Sequence, residues 1–113
     1  MADCVFCKII SGEIPSNKIY EDEKVVAFRD INPQAPVHFL VVPKEHIVSA
    51  MDIDDKNASI AAHCFKVIAL LAKQEKLSDG FRIINNCGEN GGQTVPHLHF
   101  HVLGGVKLGE KMI

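Results

Sequence analysis

Three histidines alternate with apolar residues near the end of the chain, in the order His97-Leu98-His99-Phe100-His101-Val102. Successive side chains of a strand point to opposite faces, so a strand over 94–105 would place the imidazoles in one row and the apolar groups behind them. A helix would scatter the imidazoles, and β-branched and aromatic residues favour a strand. Imidazole titrates near neutral pH, binds metals and attacks phosphorus, so this row is a candidate reactive surface. The alternative is a solvated strand face that is rich in histidine.

His99 is the predicted nucleophile of this row. A neutral imidazole has one protonated nitrogen and one free lone pair. If Nδ1–H donates to a backbone carbonyl, Nε2 is left to attack phosphorus and form a nucleotidyl-histidine that water hydrolyses. His97, His101 and His38 are expected to bind the phosphate oxygens and to hold this tautomer. The chain has no Walker-type lysine loop, so imidazoles and backbone amides are expected to stabilise the developing charge.

A glycine-rich loop, residues 88–94, leads directly into the histidines. Glycines allow consecutive backbone N–H groups to converge on one point, which makes an anion-binding nest. The side chains of Gln93 and Thr94 would add hydrogen-bond donors. The loop is therefore a candidate phosphate site, and the alternative interpretation is a simple turn between two strands.

Cys4 and Cys7 are spaced one helical turn apart, which places them on the same side of a helix. Together with two histidines they would complete the Cys₂His₂ set that Zn²⁺ favours, and His46 and His97 are the candidates. The alternative is a pair of inert thiols. A zinc site built from three alternating histidines is disfavoured, because such ligands diverge along ~13 Å of strand.

The remaining pattern predicts an α+β domain, in which an antiparallel sheet of about five strands carries one long helix on one face and the site on the other. A short N-terminal helix is expected to end at Ser11-Gly12. The predicted helices cover residues 4–11 and 54–76, and the predicted strands cover residues 18–21, 25–28, 38–42, 80–86 and 94–105.

Composition limits the class of protein. The chain has 113 residues, 47% of them hydrophobic, which suits a single domain over 1–113. A net charge of -2 without a basic stripe argues against binding to the nucleic-acid backbone. No apolar run is long enough to span a membrane, and no export signal is visible. We therefore expect a cytoplasmic protein whose four cysteines are thiols or metal ligands.

The stretch from His97 to Leu103 matches the signature His-φ-His-φ-His-φ-φ, where φ is an apolar residue, and resembles the histidine-triad superfamily. The rest of the chain resembles its Hint-type nucleotide-binding branch, in the bacterial form that carries Cys-x-x-Cys. This likeness extends over residues 6–10, 13–15, 28–36, 38–44, 91–94 and 101–105.

The resemblance implies a HIT-like fold and a homodimer in which two sheets join into one. It also implies binding of a purine nucleoside monophosphate such as AMP, and hydrolysis of nucleoside phosphoramidates through an adenylyl-histidine. By the same resemblance His99 is the nucleophile, His101 contacts the phosphate, His97 is the first triad member and His38 supports them. A histidine at the third triad position, where the transferase branch has glutamine, favours hydrolysis.

Further roles follow from the resemblance alone. Asp30 takes the position of the acceptor for the ribose hydroxyls, and the base is surrounded by Phe6, Phe28 and Ile31. The phosphate-side positions are Asn86, Gly92, Gln93 and Thr94, and a structural zinc is held by Cys4, Cys7, His46 and His97. Two alternatives are a dinucleoside polyphosphate hydrolase and a nucleotide-binding module without catalysis. The C-terminal segment, residues 106–113, lacks the aromatic ending of some relatives, which leaves the leaving group open.

Overall fold

Residues 3–113, which the computed structural model describes, form two α-helices, a short 3₁₀ helix and one five-stranded sheet. Met1 and Ala2, the start of the predicted domain, lie outside these residues. The predicted α+β class is confirmed. In chain order the elements are α1 (Val5–Ser11), β1 (Lys18–Glu21), β2 (Val25–Arg29), β3 (Val37–Pro43), the 3₁₀ helix (Ala50–Asp52), α2 (Ala58–Gln74), β4 (Phe81–Ile84) and β5 (Phe100–Gly104).

The sheet has the order β1-β2-β3-β5-β4, and every neighbouring pair is antiparallel. β3 lies at the centre, where Leu40 is opposite His101 and His38 is opposite Leu103. Directly opposite residues of an antiparallel pair share a face, as do residues two apart on one strand. The register therefore brings His38 and His101 to the same face of the sheet.

Each face of the sheet is covered by a different helix. The face under α2 forms the larger core and takes up Val25, Ala27, Phe39, Val41, Leu98, Phe100 and Val102. The face under α1 is smaller and takes up Val26, Phe28, Leu40 and Val42 together with Cys4, Phe6 and Ile9. Because both faces are buried, β2 and β3 are almost continuously apolar instead of alternating.

The short helix α1 agrees with its prediction. Cys4 precedes it in extended conformation, and the backbone N–H of Cys7 donates to the Cys4 sulfur at 3.3 Å. Gly12 ends it with φ +85°, a left-handed conformation that glycine adopts without strain, and its N–H donates to the carbonyl of Ile9. Both cysteines are thereby held at the start of one rigid element.

The long helix α2 begins at Ala58, four residues after the predicted start. Asp54 Oδ1 accepts the backbone N–H groups of Lys56 and Asn57, and Asn57 Oδ1 accepts the N–H of Asp54. These reciprocal bonds, together with the bond from the N–H of Ala58 to the carbonyl of Asp54, close a turn over residues 54–57 that leads into the helix. At the other end Lys76 adopts a left-handed conformation with φ +62°, which terminates the helix before the predicted Ser78-Asp79-Gly80 stop. No helix within residues 3–113 combines the length and apolarity that crossing a bilayer requires.

The histidine strand β5 covers residues 100–104. It is shorter than the predicted strand, which covered residues 94–105. Its central neighbour β3 ends at Pro43, which has no N–H to donate. Before Phe100 the chain bonds elsewhere: the N–H of His97 donates to Val95 and the N–H of Leu98 donates to Ile47. His97 and His99 therefore lie on an extended loop that enters the strand. The fourth strand likewise covers 81–84 and not 80–86.

Candidate active site

The three alternating histidines all point away from α2, but they do not form one row. Their apolar neighbours Leu98, Phe100 and Val102 enter the core under α2, as the alternation predicts. The rings of His99 and His101 are adjacent, with centroids 5.1 Å apart. The ring of His97 packs instead against His46, at a centroid distance of 4.8 Å. The motif therefore serves two different sites.

His99 is held in one tautomer by the backbone. Its Nδ1 lies 2.7 Å from the carbonyl oxygen of His97, so Nδ1 carries the proton and Nε2 keeps a free lone pair. The ring is 5% exposed and packs edge-on against Phe6 at 4.9 Å. Burial lowers the pKa of His99, against the opposing effect of the carbonyl. The imidazole is therefore neutral at pH 7.

His101 belongs to a chain of hydrogen bonds that starts in the loop before β3. The backbone N–H of Gln34 donates to Nδ1 of His38 at 3.1 Å, so the proton of a neutral His38 sits on Nε2. That Nε2 lies 2.9 Å from Nδ1 of His101 and donates to it. His101 must then carry its own proton on Nε2, which leaves one N–H for a ligand.

One carboxylate lies beside this pair of histidines. Asp30 Oδ2 lies 3.4 Å from Nε2 of His38 and 3.8 Å from Nδ1 of His101. Burial, and then repulsion from His99 and His38, lowers the pKa of His101 to about 4, while Asp30 acts in the opposite direction. The neutral form of His101 is therefore favoured.

A cavity of about 480 Å³ opens between α1 and these histidines. This volume lies within the range of small-molecule sites. Of the predicted nucleotide-binding residues, the cavity is lined by Phe6, Phe28, Asp30, Ile31, Thr94, His99 and His101. Further lining residues that sequence analysis did not identify include Val5, Ile9, Pro15, Ser16, Leu40 and Val95. Phe6 and Phe28 meet edge-to-face at 5.6 Å, so the wall is largely aromatic and aliphatic.

The glycine-rich loop does not form the predicted nest. The N–H groups of Gly91, Gly92 and Gln93 donate to carbonyls within residues 88–89 of the same loop. The Gln93 side chain accepts from the N–H of Gly88 and donates to the carbonyls of Val48 and Val95. Gly92 and Gln93 line a neighbouring hollow, which Thr94 shares with the histidine cavity. These amides close a turn and are not free for a phosphate.

Asn86 is also absent from the cavity lining, because its Nδ2 donates to the carbonyl of Gly91 at 2.7 Å and braces the loop. The adjacent Asn85, which sequence analysis did not single out, donates from Nδ2 to the carbonyl of His99 at 2.9 Å. No sequence signal marks this contact, since it joins the residue after β4 to the residue before β5 and depends on how these two strands pair.

Cys4, Cys7, His46 and His97 form a second cluster that could hold a metal ion. One ligand atom from each residue lies within 4.8 Å of every other. Cys4 Sγ is 3.2 Å from Nδ1 of His97, and Cys7 Sγ is 3.2 Å from Nδ1 of His46. Nδ1 of His97 is also 3.6 Å from Cys7 Sγ.

These distances fit a metal ion with tetrahedral coordination. Bonds of about 2.3 Å to sulfur and about 2.0 Å to nitrogen place neighbouring ligand atoms roughly 3.3–3.8 Å apart. Outside the cluster, Nε2–H of His97 donates to the carbonyl of Pro43 at 2.8 Å, which leaves Nδ1 as the coordinating nitrogen. The donor set and its supporting hydrogen bond therefore match a closed, structural site.

His97 accordingly presents no free ring nitrogen to a phosphate, because Nε2 is bound to Pro43 and Nδ1 faces the cysteines. This differs from the expectation that its side chain contacts the substrate. Its backbone carbonyl instead holds the tautomer of His99. The residue thus links the metal cluster to the cavity.

Comparison with known proteins agrees with this arrangement. A family model for the HIT domain matches residues 11–108. The structure of a HIT family hydrolase from Clostridium thermocellum has a TM-score of 0.97 at 49% identity, and the match covers 100% of this chain and 99% of that one. A 14 kDa zinc-binding protein of Zea mays is 48% identical over 106 residues, 92% of this chain and 83% of that protein.

A histidine triad nucleotide-binding protein from Candida albicans is more distant, with a TM-score of 0.82 at 35% identity over 95% of this chain and 82% of the other. The fold, the histidine motif and these matches define a protein of the histidine-triad class. The chain belongs to the HIT family, as the histidine motif predicted, and in its Hint-like group, as the resemblance of the rest of the chain predicted.

Proposed function

We propose that the protein is a nucleotide hydrolase that cleaves the P–N bond of purine nucleoside phosphoramidates, such as an amine linked to AMP. The observation that carries this proposal is the bond between His99 Nδ1 and the His97 carbonyl, which leaves Nε2 as the free lone pair at the cavity. A buried, neutral imidazole with a fixed tautomer is a suitable nucleophile towards phosphorus.

The reaction has two displacements. In the first, the lone pair of His99 Nε2 forms a bond to phosphorus, and the amine leaves with the electrons of the broken P–N bond and one proton from solvent. In the second, water attacks phosphorus, Nε2 recovers its lone pair, and the proton of the water returns to solvent. The products are the free amine and the nucleoside monophosphate. In this proposal Nε2–H of His101 hydrogen-bonds the phosphoryl oxygens as charge develops.

The opposite part of the cavity suits a nucleoside. Phe6, Phe28 and Ile31 offer apolar surface to a flat base, and the side chain of Ile31 is 100% exposed until something covers it. Asp30 offers carboxylate oxygens, which accept hydrogen bonds from vicinal hydroxyls. The carboxylate supports Asp30 as the ribose acceptor. Of the loop residues 88–94, only Thr94 lines the cavity, which supports it as the loop residue within reach of the ligand.

Zinc is the metal we assign to the cluster of Cys4, Cys7, His46 and His97. Two cysteines and two histidines are a frequent structural zinc set, and the spacing of the four ligand atoms fits it. When bound, the ion crosslinks α1 to the loops that carry the two histidines, and it takes no part in bond making. In this arrangement His97 fixes the position of α1 relative to His99.

The proposal is tested with adenosine 5'-phosphoramidate and diadenosine polyphosphates as competing substrates. We expect faster turnover of the phosphoramidate, and an adenylyl adduct on His99 that intact-mass spectrometry detects after rapid quenching. His99→Asn removes the attacking nitrogen, so it should abolish turnover and retain AMP binding. Preference for the polyphosphates would identify the dinucleoside hydrolase, and AMP binding without turnover would identify a non-catalytic module.

A homodimer is proposed through β4, one of the two outer strands of the sheet. Its second backbone edge is open to pairing, and Phe81 and Ile83 are 39% and 36% exposed. Pairing of two β4 strands would join the sheets and cover this apolar edge. Sedimentation should show a dimer that Ile83→Lys weakens, whereas Met51→Lys, at an exposed site on the 3₁₀ helix, should leave the dimer intact.

A further inference from the structure

Ser16 lies in the turn between α1 and β1 and lines the histidine cavity. Its Oγ is shielded from solvent and has no hydrogen-bond partner among residues 3–113, and no other buried side-chain oxygen or nitrogen there shares this state. Burying a hydroxyl without a partner destabilises the folded protein. Such groups are rare in native structures, and one beside a cavity points to a missing ligand atom.

The position of Ser16 shows which part of the ligand it would meet. The carbonyl of the next residue, Asn17, accepts the backbone N–H of Arg29 at 3.0 Å. Ser16 is therefore joined to the end of β2, where Phe28 and Asp30 flank Arg29. These flanking residues line the part of the cavity that we assign to the nucleoside, whereas His99 and His101 enter it from β5 and the loop before it.

We propose that Ser16 is a specificity-determining residue whose hydroxyl hydrogen-bonds the polar edge of the purine base. This inference rests on the proposed nucleotide site and deepens it. Phe28 and Ile31 contact only the apolar faces of a base, so its ring nitrogens and exocyclic group need a polar partner elsewhere. A serine hydroxyl both donates and accepts, and it turns between staggered positions about one bond. Ser16 Oγ can thus swing from its unpartnered position to the base.

Two other roles of Ser16 predict different results for its substitution. If Ser16 only fills space, Ser16→Ala leaves nucleotide affinity unchanged. If its hydroxyl supports the fold, Ser16→Ala lowers stability. Recognition of the base predicts weaker binding together with unchanged or higher stability, because the free protein loses a buried unpaired hydroxyl and no interaction.

The experiment measures Kd by calorimetry for AMP and for ribose 5-phosphate, which lacks the base, and Tm without ligand. We expect Ser16→Ala to weaken AMP binding about three- to tenfold, the effect of one ordinary hydrogen bond, and to leave ribose 5-phosphate binding and Tm undiminished. The matched control is Ser59→Ala, which removes an exposed hydroxyl at the start of α2 and should change none of the three values.

Unchanged AMP affinity in Ser16→Ala overturns the inference. So does an equal loss for AMP and ribose 5-phosphate, which would place the contact on the sugar or phosphate. A lower Tm with unchanged affinity identifies a structural role and overturns it as well. If the wild-type protein binds neither compound, the proposed function itself fails, which the wild-type measurement alone reveals.

Discussion

The backbone carbonyl of His97 lies 2.7 Å from Nδ1 of His99, while the ring of the same His97 faces the sulfur atoms of Cys4 and Cys7. One residue therefore joins the candidate nucleophile to the candidate metal cluster. The helix that follows Cys4 and contains Cys7 also places Phe6 against the ring of His99. The position of the candidate nucleophile is consequently coupled to the candidate metal cluster.

Loss of the metal cluster should therefore impair the reaction as well as the fold. We expect Cys7→Ser to lower zinc content, Tm and kcat together, because α1 and the His97 loop lose their crosslink. Elemental analysis, calorimetry and phosphoramidate turnover measure the three effects. Cys87→Ser, which alters a half-buried cysteine outside the cluster, should leave all of them near wild type. Full activity of Cys7→Ser in zinc-free form would show that the cluster does not position His99.

Asn85 should act as a positioning residue for His99, since its Nδ2 donates to the His99 carbonyl at 2.9 Å. We expect Asn85→Ala to lower kcat about tenfold, since a misplacement of 1 Å costs on the order of a hundredfold and the bond of His99 Nδ1 to His97 would limit the shift to less than that. KM should change little, since Asn85 does not line the cavity. Steady-state kinetics test this, with Asn90→Ala in the exposed loop as the control. Equal changes in kcat for both variants would contradict the role.

The free energy of unfolding should fall as the pH is lowered from 6.5 to about 4. Burial lowers the pKa of His101 from 6.5 to about 4, so the unfolded chain binds more protons than the folded one in this interval. The contribution of His101 is present above pH 6.5 and is lost as pH falls towards 4. Urea denaturation at several pH values measures it. His101→Asn should show a shallower decline than the wild type, and an identical decline would contradict the assignment.

Leu98 should contribute strongly to the stability of the fold that holds the two histidines beside it. Its side chain is fully buried under α2, and its N–H donates to the carbonyl of Ile47 at 2.6 Å. We expect Leu98→Ala to lower the free energy of unfolding by about 2–5 kcal/mol, the cost of a large-to-small change in a core. Leu70→Ala, at a position 42% exposed on α2, should cost much less. Chemical denaturation compares the two variants.

The local patterns were sufficient for most elements, because each depends on neighbours in sequence. The end of α1 at Gly12 follows from a conformation that glycine adopts freely, and the strand Lys18–Glu21 has its predicted bounds. The predicted start of α2 and the predicted length of β5 were wrong. At the first position a local turn closed by Asp54 precedes the helix. At the second, Pro43 of the neighbouring strand β3 has no N–H to donate, and the sequence does not show that Pro43 lies beside β5.

The sequence by itself determined that the three histidines share the side opposite Leu98, Phe100 and Val102, since alternation is a property of extended backbone. Its Cys-x-x-Cys spacing likewise placed two sulfur atoms on one helical turn. Tertiary structure decided which nitrogen of each imidazole is free, and it brought Ser16 and Asn85 to the site. The bond from His38 to His101, the bond from Asn85 to the His99 carbonyl and the bond from His97 to the Pro43 carbonyl join groups far apart in the chain, so no local pattern encodes them.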